Sequence, residues 1–351
     1  MRRGVDRLTL TTVTENYVDM LLPDGPGVTR AGLAHHFDPK CDCPIGENGI
    51  AIHVEVEWDR YRYRLLFDTG MTGPVLQHNA AALGLDLGAV DHAVISHGHP
   101  DHYGGLQGFL ESRDAAVPVS IHAAAFLPRY LRLASGQVAP YYNQDLTEDS
   151  IGEAGGRLVL HDGPLEVGPG LIATGAIPRR VDFEEPSRDL TTPNALIQVV
   201  EGRMEPDTVP DDQALVIEVG GDGIIVLCGC SHAGVVNTVR YAMEITGRDR
   251  VVGVFGGFHL GFPGTPEAKT DRTIEAFEEI GIELLCPMHC TGMRSMMALA
   301  AAFPDSFLLN CTGARVDLDA APSSRRPAEI EERVSLSVGE LSAPSPAQAR
   351  D

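Results

Sequence analysis

Apolar and polar positions alternate with two different periods along this chain, and the period sets the element expected in each stretch. Alternation at every second position predicts strands at Leu8–Val13, Ile50–Glu57 and Tyr63–Phe67. The short connection WDRYR joins the last two as a hairpin. Short continuous apolar runs of the kind buried strands carry lie at Ala93–Ser96 and Val117–His122. Further strands are expected at Leu171–Thr174, Ala195–Val200, Ala214–Val219, Ile224–Leu227, Val251–Phe255 and Leu284–Pro287. A helical period predicts helices over Pro74–Leu83, Gly105–Ser112, Ala123–Leu133, Val235–Ile245, Pro266–Ile280 and Gly292–Phe303.

Strands come first, then a strand–loop–helix run, then strands again, then strands and helices in alternation. That order is not a strict βαβ repeat, so the class expected is α/β (α+β): two mixed sheets flanked by helices. Ala134–Gly156 and Arg179–Asp212 are rich in Pro, Asp, Glu and Gly and are expected as long covering loops. Core patterning fades after Ala314. One domain over residues 1–314 is therefore expected, with a Pro/Ser-rich tail over 315–351 that is partly disordered.

Composition narrows the partners. Among 351 residues, 27 are basic and 49 acidic, for a formal charge of −22, and Lys occurs only at Lys40 and Lys269. No basic stripe exists to follow a nucleic-acid backbone, and the acidic balance argues against anionic membranes. No run reaches the roughly 18–20 apolar residues of a membrane span. The N-terminal stretch lacks the apolar core of an export signal, and seven cysteines read as reduced thiols, so a cytoplasmic protein is expected.

The densest chemistry lies in VISHGHPDHYGGL, residues 94–106. His97, His99, Asp101 and His102 offer four ligating side chains at a strand end. Imidazole and carboxylate together suit one or two divalent ions, with Zn or Mn expected first and Fe or Mg as alternatives. His97 and His99 fall on one side of an extended turn, and Asp101 and His102 reach toward a second position.

With FDTG at Phe67–Gly70 and MHCTG at Met288–Gly292, this loop resembles the metallo-β-lactamase superfamily. The resemblance spans about Leu8 to Gly313 and implies a four-layer αββα sandwich with metals at its edge. It implies that Asp68 is the buried aspartate bracing the metal loop and that His289 is the last ligand histidine. TGAIPR (174–179), FEE (183–185), DDQALVIE (211–218), GCSHAGVVN (229–237), GGFHL (256–260) and PMHCTG (287–292) resemble one subfamily. It is the subfamily similar to 7,8-dihydropterin-6-methyl-4-(β-D-ribofuranosyl)-aminobenzene-5'-phosphate synthase. The pattern also departs from hydrolytic members. The strand end ATGAIPRR has no third-motif histidine, and CGCSH stands where a bridging aspartate is usual. Cys230 and His232 are the candidate replacements, with buried bystanders as the alternative.

Asp101 and His259 are the catalytic candidates. Gly257 and His259 of GGFHL, Arg179 and Glu184 in the covering loop, and Thr291 before a helix are candidates for holding an anionic small substrate. Surface charge for Arg179 and Glu184, and helix capping for Thr291, are the alternatives. His35, His36, Cys41 and Cys43 offer a second, structural zinc site of unusual spacing. Cys286, Cys290 and Cys311 read as buried or half-buried thiols. Three functions fit: a metal-dependent synthase acting on a phosphorylated or pterin-like molecule, a metal-dependent hydrolase of a phosphoester, thioester or lactone, and a non-catalytic metal-dependent binding protein.

Overall fold

In the computed structural model, the described residues are 5–38, 40, 42–58, 61–141, 145–186, 190, 195–220, 223–262 and 265–319. Two sheets face each other across an apolar core. The eight-stranded sheet runs Val28–Thr29, Arg315–Asp319, Arg7–Thr14, Ala51–Trp58, Tyr61–Phe67, His92–Val94, Val117–Ile121 and Gly156–Leu160 from edge to edge. The six-stranded sheet runs Leu165–Gly168, Leu171–Ala173, Ala214–Val219, Gly223–Cys228, Arg250–Gly257 and Leu285–Met288. Each is antiparallel over one half and parallel over the other.

Alternating side chains explain the layers. From Ala214–Val219, Leu215 and Ile217 enter the core between the sheets, while Ala214 and Val216 face outward. The outward set is covered by the helices Val235–Thr246, Glu267–Ile280 and Met293–Ala302 through Val236, Phe277 and Leu299. On the other sheet, Leu66, Ala93 and Val119 face the helices Gly73–Ala82 and Leu106–Glu111 through Leu76 and Phe109. Because helices cover both sheets, the central strands are buried on both faces and read as continuous apolar runs. This is the expected αββα sandwich.

Several local expectations change. Residues 123–133 do not form one helix. A 3₁₀ turn at Ala123–Phe126 ends at Leu127, and Arg129–Arg132 is a strand. Pro128 supplies no N–H and disfavours helical backbone at Leu127, whose ψ is 135°. The two expected loops also contain structure. Arg203–Pro206, Leu196–Val200, Arg129–Arg132 and Val138–Pro140 form a third, four-stranded sheet. Glu148–Glu153 is a short helix with a Thr147–Ser150 capping box. The sheet also runs past residue 314, since Arg315–Asp319 pairs with Arg7–Thr14 and Val316 enters the core. The rest of the tail, 320–351, lies outside the described residues, as does Cys41 of the structural-zinc expectation. Among the described residues, no helix is long and apolar enough to cross a membrane.

Candidate metal centre

Five parallel strands end at one edge of the sandwich, and each end carries a site residue. Asp68 follows Tyr61–Phe67, and the HGHPDH loop follows His92–Val94. Cys230 and His232 follow Gly223–Cys228, His259 follows Arg250–Gly257, and His289 follows Leu285–Met288. The carboxyl ends of parallel strands are where open α/β sheets place ligands. The backbone is bent to aim these side chains: Asp68, Ser231, His259 and His289 all have positive φ, at 57°, 55°, 50° and 52°. Such conformations are disfavoured for residues with a Cβ and gather at functional sites.

The donor atoms fall into overlapping clusters. His97, His99 and His232 form one, and Asp101, His102 and His289 another, with donors in each cluster within 4.8 Å of one another. Cys230 joins them. Its sulfur lies 3.1 Å from His102 Nε2 and also groups with His97, His232, His259, His289 and Cys290. His97 Nε2 faces His99 Nδ1 at 3.0 Å, and His289 Nε2 lies 3.3 Å from Asp101 Oδ2. Among the described residues, His99 Nε2, His232 Nε2, His289 Nε2 and Asp101 Oδ1 are buried with no hydrogen-bond partner. Leaving one such group unsatisfied costs about 1–3 kcal/mol. Such buried atoms within the two groups fit divalent ions, for which nitrogen, carboxylate and thiolate are competent donors.

Further hydrogen bonds behind these side chains fix their orientation. Asp68 accepts from Ser96 N and Ser96 Oγ, each at 2.7 Å, and its Oδ2 is 2.7 Å from His102 Nδ1. Gly229 must lack a side chain here, because a Cβ would stand 2.1 Å from Ser96 Oγ. His289 N donates to Glu15 Oε1 at 3.0 Å, and its Nδ1 lies 3.1 Å from Asn16 Oδ1. Asp211 accepts from Gly98 N at 2.7 Å, and Arg129, from the small sheet, pairs with both Asp211 and Asp207.

Burial holds His97 and His232 well below the usual imidazole range, so both are neutral and ready to ligate. For Asp101, burial works upward but His102 and His289 outweigh it and hold the carboxyl low. Burial works against the charge on His289 too, yet Asp101 and Cys290 bring it up to about 9. Burial raises Glu15 and Asp212 each to about 7. It also pushes the Cys230 thiol well up.

The structure brings His97, His99, Asp101, His102, Cys230, His232, His259 and His289 to one place, with Asp68 behind them. Other sequence candidates have different partners. Arg179 donates to His232 O at 2.5 Å and to Thr208 O, so it ties the covering segment to the site. Glu184 is buried and accepts from Val236 N and Asn237 N, both at 2.8 Å, capping the helix Val235–Thr246. Thr291 Oγ1 accepts from Phe258 N and donates to Met288 O, bracing the two strand ends. The following helix, Met293–Ala302, has Gly292 at its N-cap and no side-chain cap. Gly257 O accepts from Ser231 Oγ at 2.7 Å. Sequence reasoning missed Glu15, Asn16, Ser96, Arg129, Asp207 and Asp211 as supports. The DDQ start of one quoted segment was the available signal for Asp211.

Comparison with known proteins agrees with this geometry. The family model described as the metallo-beta-lactamase superfamily matches residues 62–179. The 7,8-dihydropterin-6-methyl-4-(beta-D-ribofuranosyl)-aminobenzene-5'-phosphate synthase of Methanocaldococcus jannaschii is 31% identical over 266 residues, covering 74% of this chain and 86% of that protein. An uncharacterized protein of the same organism is 28% identical over 256 residues, covering 73% of this chain and 88% of its own. A crystal structure described as a metal-dependent hydrolase of the beta-lactamase superfamily superposes with a TM-score of 0.65 at 22% identity, covering 89% of this chain and 99% of that one. With its sandwich, its strand-end histidines and this relative, the chain belongs to the metallo-β-lactamase superfamily, in the group similar to the dihydropterin–aminobenzene synthase.

Proposed function

We propose that this protein is a metal-dependent enzyme that acts on a small anionic, pterin-like or phosphorylated molecule, and that its reaction is of the synthase type. The reading is carried by one observation: buried and half-buried His, Cys and Asp donors from the ends of several strands gather in overlapping groups, each with its donor atoms within 4.8 Å of one another. His97, His99 and His232 would hold one ion, and Asp101, His102 and His289 a second, with Cys230 between them. His232 thus fills the place of the missing third-motif histidine. Bound ions would supply Lewis-acid charge to a departing diphosphate. They would also offset a chain of net charge −22, which otherwise repels such a substrate.

In a synthase reaction, the arylamine nitrogen bonds to the pterin methylene carbon. Diphosphate leaves with the bonding pair, and the amine gives up a proton. His259, whose Nδ1 has no hydrogen-bond partner among the described residues, would take that proton. Phe262 is half exposed, and its ring centre lies 4.4 Å from that of His259, so it offers a face on which a pterin or aryl ring can stack.

The test is release of diphosphate from a dihydropterin diphosphate, with and without a ribofuranosyl-aminobenzene 5'-phosphate. Release that requires the arylamine supports the synthase. Release of phosphate or acid from simple esters without it would assign hydrolysis instead. Tight binding with no turnover would leave a binding protein.

A further inference from the structure

We propose that Cys290 is itself a metal ligand, joining Cys230 and His289 in a two-sulfur subsite that selects a thiophilic divalent ion such as Zn²⁺ over Mg²⁺. The inference rests on the reading that this edge of the sandwich holds metal. Cys290 has the appearance of an ordinary half-buried thiol in the sequence, and the backbone makes it something else. Consecutive residues of a strand point to opposite faces, so His289 and Cys290 would diverge if Leu285–Met288 simply continued. Instead His289 has φ of 52° and opens a 3₁₀ turn, His289–Thr291, which swings both side chains to the same side.

The sulfur of Cys290, the sulfur of Cys230 and a ring nitrogen of His289 then lie within 4.8 Å of one another. Donors around one tetrahedral ion at about 2.0–2.3 Å stand about 3.3–3.8 Å apart, which falls inside that limit. His289 is 6% exposed, and its Nε2, 3.3 Å from Asp101 Oδ2, lies among these donors.

Space for the sulfur is also built in. A Cβ on Gly257 would stand 2.5 Å from Cys290 Sγ, so glycine there is what admits the thiol. The turn is held from both sides. Thr291 Oγ1 binds Phe258 N and Met288 O at 3.0 and 2.8 Å, and Gly261 N donates to Cys290 O at 3.1 Å. Two thiolates and an imidazole suit Zn²⁺ and disfavour Mg²⁺, which takes oxygen ligands.

Cobalt-loaded full-length protein tests this. Thiolate–cobalt charge transfer gives near-ultraviolet absorption that scales with the number of sulfur ligands, and metal content is measured on the same samples. The wild type is expected to show the band, Cys290→Ser and Cys230→Ser each to lose about half of it, and the double variant all of it. Cys43→Ser, away from the site, is expected to leave it unchanged. A Cys290→Ser protein that keeps its cobalt and the full band overturns the inference but leaves the metal reading standing. Wild-type protein that takes up no metal overturns both. Should Cys290→Ser fail to fold, X-ray absorption of zinc-loaded wild type decides: two sulfur neighbours per chain are expected, and one contradicts the proposal.

Discussion

Cys230 Sγ lies 3.1 Å from His102 Nε2, joining the loop after one sheet's central strand to the loop after the other's. Neither loop holds the centre alone. The HGHPDH loop brings His97, His99, Asp101 and His102 from one sheet, and the strand ends at Cys230, His259 and His289 bring the rest from the other. The site is a seam between two sheets, so its integrity depends on residues that fix each loop relative to the other.

Asp68 is the first of these. Replacing it with Asn leaves the size unchanged but removes the charge that fixes Ser96 and His102. Metal affinity is expected to fall by about 10–100-fold while the protein stays folded. Titration against a competing chelator measures this, and unchanged affinity would show that Asp68 does not orient the ligands.

Arg129 is the second. It is 3% exposed and faces two buried carboxylates, Asp207 and Asp211. Arg129→Ala removes the guanidinium from both and is expected to destabilise the fold by about 3–5 kcal/mol, read from urea unfolding. A loss below about 1 kcal/mol, the worth of a surface pair, would contradict the assignment.

Glu184 gives a contrast. Its two bonds to Val236 N and Asn237 N place it at the positive end of a helix. Glu184→Ala is expected to lower stability by about 1–2 kcal/mol and leave substrate affinity unchanged. Unchanged stability with weaker substrate binding would instead return Glu184 to the substrate contact considered from sequence.

Stability also depends on pH away from the metal edge. Burial lowers His53 to about 4 from an ordinary 6.5. The unfolded chain therefore binds the extra proton first as pH falls. The contribution is complete above pH 6.5 and is lost as pH drops through 4, a swing of about 3 kcal/mol. Urea unfolding of wild type and His53→Gln across that window should show a steeper loss for wild type, and parallel curves would refute the assignment.

Much of this was legible in the sequence where the signal was local. Ala214–Val219 reads as a buried strand because helices cover one face of its sheet and the other sheet covers the opposite face, so the apolar run is uninterrupted. HGHPDH reads as a metal loop because its ligands lie within six residues. Of the small sheet, only the strand expected at Ala195–Val200 was legible, and it forms as Leu196–Val200. The sheet's strand Arg129–Arg132 carries charged residues that suggest surface, yet the Arg129 charge is buried against Asp207 and Asp211. Glu15 and Asn16 escaped notice because they meet His289 across 274 and 273 residues of chain. Cys290 looked inert because its orientation depends on a backbone turn at His289 that no composition or period announces.

Metal content is the most direct test of the whole account. Protein purified without chelators should carry about one to two divalent ions per chain, measured by mass spectrometry, and His97→Ala combined with His99→Ala should remove at least one of them. Wild-type protein that folds, resists unfolding and holds no metal when Zn²⁺ or Mn²⁺ is supplied would contradict it.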